Sequence, residues 1–398
     1  MKILITTDAY YPMINGVVVS TNNLYKQLKM AGHDVRILTL SYNGREYIEG
    51  DIYYLNSHFV KVYPDARIMK PFGNKVISKI VEWSPEIIHS QTEFSTMLVA
   101  KYIKRKLDIP QVHTYHTMYE DYLKYFLGGK VIRKGTMAKL LKILLNTFDE
   151  IIAPTEKVKN VLREYEVYKD IKIVPTGIDI KSFQKELSSK EREKILNHYG
   201  WKTKDKILVY VGRVAEEKNI DEIINLFKKG LNELKDIKLL IVGGGPYLSQ
   251  LKELVSRYGI EDIVKFTGMV DSDQVYKYYK MGIAFVTASQ SETQGLTYIE
   301  ALASGCPVIC KWDPCIKNLI VNGVTGFAYT DTSEFVKAVE SLKSNEILRR
   351  KIISNAKQKS CEYSTENFGK SVMDIYNKVL LGRNVKKRNL VQIIRTIF

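Results

Sequence analysis

The chain has 398 residues, 45% of them hydrophobic, enough for two cores of ordinary size. A net charge of +16 and a pI near 9.3 direct attention to anionic partners, membrane or nucleic acid, and the distribution of the bases has to decide between them. Cys306, Cys310, Cys315 and Cys361 lack C-x-x-C spacing and an accompanying His cluster, which argues against a zinc or disulfide scaffold and for a reduced, cytosolic setting.

In chain order, MKILITTDAYYP offers an apolar run that ends by Asp8, too short for a signal h-region. No later stretch reaches the ~18 apolar residues of a spanning helix, so any membrane encounter is expected to be peripheral. Residues 3–6 read as a buried strand, Asn15-Gly16 as a turn, 17–30 as a helix stopped at Gly32, and 35–40 as the next strand. The same rhythm continues through 86–89, 95–106, 110–113 and Glu150–Ala153, giving a doubly wound α/β domain. It restarts after Val174-Pro175-Thr176-Gly177, with strands at 207–211, Ile237–Val242, 263–266, 283–287 and 307–310 and a last helix at 367–380. Domains of 1–180 and 181–364 are expected, followed by a helical, basic 365–398.

Glycine at Gly16 permits close approach of a phosphate and feeds a helix N-terminus, although an Asn-Gly pair also suits a plain turn. Gly212-Arg213 ends a strand and Lys218 follows at the next helix, which places two cations at the C-terminal edge of a sheet, where open α/β folds bind ligands. Gly243-Gly244-Gly245 lacks G-x-G-x-x-G spacing and reads as a tight strand-to-helix turn. In SETQGLTYIEALASGCPVI a helix should start near Leu296. The N–H groups of Gly295, Leu296 and Thr297 would then face an anion such as a diphosphate. Glu292 and Glu300 flank that site, and because carboxylates repel phosphate they must face sugar hydroxyls instead.

These motifs, E-x7-E before Gly-Cys-Pro-Val and G-R-x4-K above all, resemble those of the retaining glycosyltransferases of family 4. The resemblance covers nearly the whole chain and is strongest over 206–326. It implies the GT-B fold, two Rossmann-like doubly wound domains facing a cleft, with a C-terminal helix crossing back to the N-terminal domain. It also implies that Glu292 holds the donor hexose, Glu300 the ribose, and Arg213 and Lys218 the diphosphate. His116 in HTYHT matches the family histidine near the transferring sugar, and His113 is expected in the core. His89 and Glu93 could line the acceptor side. The loop after Gly268 places Val270 beside the base. The family usually has Gly-Gly where this chain has Asn15-Gly16, which keeps the second glycine. Asp271-Ser272-Asp273 sits in the base-binding loop, so no tightly held metal is expected, and free Mg2+ at most stimulates.

Within the family, YPMINGVVVS, HTYHTMYEDYLKYF and SETQGLTYIEA are similar to bacterial diacylglycerol glucosyltransferases. That implies UDP-glucose as donor and diacylglycerol as acceptor, whereas other members take sugars, inositol phosphate or other lipids. Residues 129–148 carry Lys130, Arg133, Lys134, Lys139 and Lys142 without an acid, among many apolar side chains, and are expected to lie on an anionic membrane as an amphipathic helix. A core helix with a basic outer face is the alternative. The C-terminal bases between Arg383 and Arg395 form a second acid-free run. A nucleic-acid-binding protein without catalysis is the rival from another class. Here the bases alternate with Leu, Ile and Met rather than stacking aromatics, so no nucleic-acid partner is expected. A nicotinamide dehydrogenase is disfavoured by the missing dinucleotide fingerprint.

Overall fold

The computed structural model describes residues 1–13, 15–60, 67–70, 75–117 and 134–397. Two compact units emerge, Met1–Gly177 with Thr365–Phe398, and Ile178–Ser364.

The first unit is built on β1 (Lys2–Thr6), β2 (Asp34–Leu40), β3 (Tyr47–Glu49) and β4 (Ile52–Leu55), with β5 (Ser57–Phe59) and β6 (Arg67–Met69) as a separate hairpin. It continues with β7 (Ile87–Ser90), β8 (Gln111–Thr114), β9 (Glu150–Ala153) and β10 (Ile171–Ile173). Among the described residues the main sheet runs β10-β9-β8-β7-β1-β2-β4-β3, parallel except for the β3–β4 pair. Consecutive side chains Ile3, Leu4 and Ile5 are all fully buried, as expected where helices cover both faces of a parallel sheet. The helix Gly16–Met30 starts where Asn15 Oδ1 accepts from Val18 N–H at 3.0 Å, and the chain leaves it through Gly32 at φ 81°.

The last helix, Thr365–Ile397, is longer than its apolar pattern suggests and packs on this unit. Phe368, Val372, Ile375 and Tyr376 share a core with Ile3, Ile5, Leu24 and Leu28. Tyr376 Oη lies 2.6 Å from His89 Nδ1, and the other ring nitrogen is 2.7 Å from Thr114 Oγ1. His89 is therefore a core clamp for this helix, not an acceptor-side residue, and burial holds it well below the usual imidazole range.

The second unit contains β11 (Lys206–Val211), β12 (Ile237–Val242), β13 (Val264–Gly268), β14 (Gly282–Thr287), β15 (Val308–Lys311) and β16 (Gly326–Tyr329). Their order is β13-β12-β11-β14-β15-β16, all parallel. The order reverses between β11 and β14, and ligands of doubly wound sheets bind outside the strand ends at such a point. The glycine turn after β12 serves the loop that leaves β11. A Cβ on Gly243 would stand 1.9 Å from Gly212 O, and one on Gly245 would stand 2.2 Å from Val214 O. Only glycine lets these backbones meet, with Val214 N–H donating to Gly244 O at 2.9 Å.

Candidate functional site

The switch point of the second unit brings two of the predicted charges, Lys218 and Glu292, into contact. Lys218 closes a short 3-10 turn after β11, and Glu292 lies on the loop after β14. Lys218 Nζ reaches Glu292 Oε1 at 2.6 Å, with both side chains mostly covered. Ser289 Oγ also donates to Glu292 Oε1, at 2.8 Å. Arg213 is more open and pairs with the nearly buried Glu217. Ser291 Oγ donates to Glu217 O at 3.1 Å, so the β11 and β14 loops are stitched to one another. Tyr210 Oη, buried under the turn, donates to Arg213 O at 3.0 Å.

Gly295 sits at φ 73° ahead of the helix Leu296–Ser304, and the ring of Tyr298 fills the space a Cβ would need. Leu296 and Thr297 open that helix with half-buried side chains, and their N–H groups precede its hydrogen-bond ladder. Glu300, one turn in, is half-buried. Burial pushes its carboxyl up to about 7, against the hydrogen bond from Tyr279 Oη at 3.0 Å. Tyr279 Oη also lies 3.2 Å from Thr297 O and so fixes the first turn relative to Glu300.

Gly268, at φ 71°, ends β13, and its carbonyl accepts from Gly243 N–H at 3.1 Å. Val270 fringes the same core cluster as Leu296. Among the described residues no group of three or more His, Cys, Asp or Glu is placed to hold a metal ion. Sequence reading missed Ser289, Glu217 and Tyr279. Glu217 and Ser289 stand only four and three residues from Arg213 and Glu292, but in segments with no regular period to mark the pairing, whereas Tyr279 meets Glu300 through the fold.

In the first unit Gly16 is exposed as the first residue of its helix. His116 follows β8, and its Nε2–H donates to Oε1 of the buried Gln91 at 2.8 Å. Burial, reinforced by His113, lowers His116 to about 3, so it is a neutral imidazole at physiological pH. His113 is fully buried in the core, 3.0 Å from Glu93 Oε1 and stacked on Phe148, so Glu93 is committed to the interior as well.

The basic segment needs correcting. The described helix is Lys134–Leu145, and Leu141, Leu145 and Phe148 belong to a buried cluster, so those side chains cannot enter a membrane. Lys142 also has an acid beside it, Glu166. Lys139 is exposed, Lys134 begins the helix, and Lys130 and Arg133 lie outside the described residues.

Residues 14–182 match the family model described as Glycosyltransferase Family 4, and residues 191–359 match Glycosyl transferases group 1. The chain is 35% identical over 390 residues to the alpha-monoglucosyldiacylglycerol synthase of Streptococcus pneumoniae, covering 97% of this chain and 88% of that protein. It is 28% identical to the Acholeplasma laidlawii protein of the same name, over 98% of this chain and 100% of that one. Among solved structures, Anabaena HepE in complex with UDP and glucose superposes with a TM-score of 0.75 at 16% identity, over 95% of this chain and 100% of that chain.

Proposed function

This chain belongs to glycosyltransferase family 4, and from that premise we propose that it moves glucose from UDP-glucose to 1,2-diacylglycerol with retention, giving α-monoglucosyldiacylglycerol at the cytoplasmic face of a membrane. The fold is GT-B. The acceptor rests on full-length similarity to two proteins named for that product. The donor rests on the Lys218–Glu292 pair at the switch point, one cation and one carboxylate where a sugar diphosphate needs both.

In this reading Glu292 accepts hydrogen bonds from glucose hydroxyls, and Glu300 accepts them from the ribose. The N–H groups at Leu296 and Thr297 meet the diphosphate, and the loop of Gly268 and Val270 borders the uracil. Arg213 and Lys218 act most strongly as the sugar–phosphate bond breaks, because negative charge then collects on the β-phosphate. The acceptor hydroxyl attacks the same face of the anomeric carbon that the leaving group vacates, and its proton passes to the departing phosphate oxygen. The products are glucosyl lipid, UDP and one proton. His116, kept neutral by burial, brings no charge to the reaction.

The test is transfer of label from UDP-glucose and from UDP-galactose into dioleoylglycerol dispersed with phosphatidylglycerol. Label in the organic phase from the glucose donor alone supports the reading. Label that stays water-soluble, or prefers galactose, refutes it.

A further inference from the structure

We propose that the outward faces of the helices Ser95–Leu107 and Lys134–Leu145 form one surface that seats on an anionic bilayer, with the first helix as its main contact; this rests on the lipid-acceptor reading above. Ser95–Leu107 buries Thr96, Met97, Val99, Ala100 and Ile103. Phe94, Leu98 and Tyr102 fall on the opposite side at successive four-residue steps, exposed by 47%, 61% and 52%. Single exposed apolar side chains are ordinary, but an aligned row of large ones marks a contact surface. Lys101, Arg105 and Lys106 interleave with that row, and the helix has no acid. Lys106 Nζ lies 5.8 Å from the centre of the Tyr102 ring, so a base stands directly beside an aromatic member of the row.

The second helix lies alongside. Lys104 Nζ donates to Thr147 O at 3.2 Å, Lys101 Nζ is 5.6 Å from the Phe148 ring, and Met97 shares a cluster with Leu141 and Leu145. Its outer side adds Leu140 and Ile143, exposed by 59% and 71%, beside Lys139.

Charge selects the occupant. A second copy of a chain with net charge +16 would set this basic rim against another, and a nucleic acid would leave the apolar row without a partner. An anionic bilayer accepts both, apolar side chains at the acyl boundary and bases at the headgroups. The row also begins at Phe94, just after Gln91, which holds His116. The face thus descends from the sheet edge to which a lipid hydroxyl would have to be delivered.

Two double variants test this, Leu98→Gln with Tyr102→Gln, and Arg105→Gln with Lys106→Gln, in co-sedimentation with vesicles rich in phosphatidylglycerol. All four side chains are exposed, so the unfolding temperature should hold. Each pair should reduce vesicle partition about tenfold or more, the first mainly in the salt-resistant part and the second in the salt-sensitive part, with UDP affinity unchanged. Partition equal to the parent's in both variants overturns the proposal. So does a variant that only converts a dimer to monomers in analytical ultracentrifugation, which would assign the face to a second copy. If the parent itself ignores the vesicles, the membrane face falls, while transfer into detergent-dispersed diacylglycerol would leave the enzymatic reading standing.

Discussion

Lys218 and Glu292 are 2.6 Å apart, so changing one changes the other. Removing the carboxylate in Glu292→Ala takes this partner away from the Lys218 ammonium, which then turns more fully to the diphosphate. Transfer should be lost while UDP binds as tightly as in the parent or more so, and calorimetry of UDP binding reads this directly. A large loss of UDP affinity would move Glu292 from the sugar to the nucleotide. Glu300→Ala should instead weaken UDP by about tenfold to a hundredfold, the equivalent of one charged hydrogen bond of roughly 1.5–3 kcal/mol.

Glu300 also predicts a pH dependence. Its carboxyl is raised to about 7, so the folded chain keeps a proton there that the unfolded chain has already lost. Its contribution to stability therefore falls as pH rises from the ordinary carboxylate range through about 7. Ribose hydroxyls favour the ionised form, so affinity for UDP-glucose should rise across the same window and then level off. UDP-glucose suits the measurement because its diphosphate has no proton to lose there. Glu300→Gln should abolish the dependence, and an unchanged slope in that variant would exclude Glu300 as the group responsible.

At the scale of elements, the glycine turn after β12 is a contact between backbones rather than a ligand loop. Gly245→Ala places a methyl group 2.2 Å from Val214 O at a φ of 156°, so the Arg213 loop must move. A loss of about 3 kcal/mol or more is expected, visible as a lower denaturant midpoint. Tyr376→Phe removes one buried hydrogen bond to His89 and should cost about 1–3 kcal/mol in the first unit. The central parallel strands of both units were readable because each is a short apolar run bounded by turn residues, as at Ile237–Val242. The edge strands β3, β10 and β16 were not, since brief edge strands lack a buried period to mark them, nor was β4, whose buried Tyr53 and Tyr54 do not read as an apolar run. Glu292, Glu300, Arg213 and Lys218 stood out through spacing. Tyr279 and Gln91 did not, because their partners are set by topology.

For the whole molecule, the open question is where the basic charge acts. Residues 129–148 read as one amphipathic surface, but periodicity cannot tell a membrane-facing leucine from a core leucine, and Leu141 and Leu145 are core. What remains outside is a pair of helix faces with bases among apolar side chains. Binding to vesicles should therefore grow with phosphatidylglycerol content and fall with salt without vanishing, because screening removes only the electrostatic part. Binding abolished by salt would leave the apolar row without a role.

Retaining transfer of glucose is read from the configuration of the product. The purified protein is incubated with UDP-glucose and diacylglycerol in anionic mixed micelles, and the anomeric proton of the extracted glycolipid is read by NMR. The expected product carries a single hexose on the free glycerol hydroxyl, with the small axial–equatorial coupling of an α-glucoside. A β-glucoside, or no glucosylated lipid from a protein that binds UDP-glucose, would contradict it.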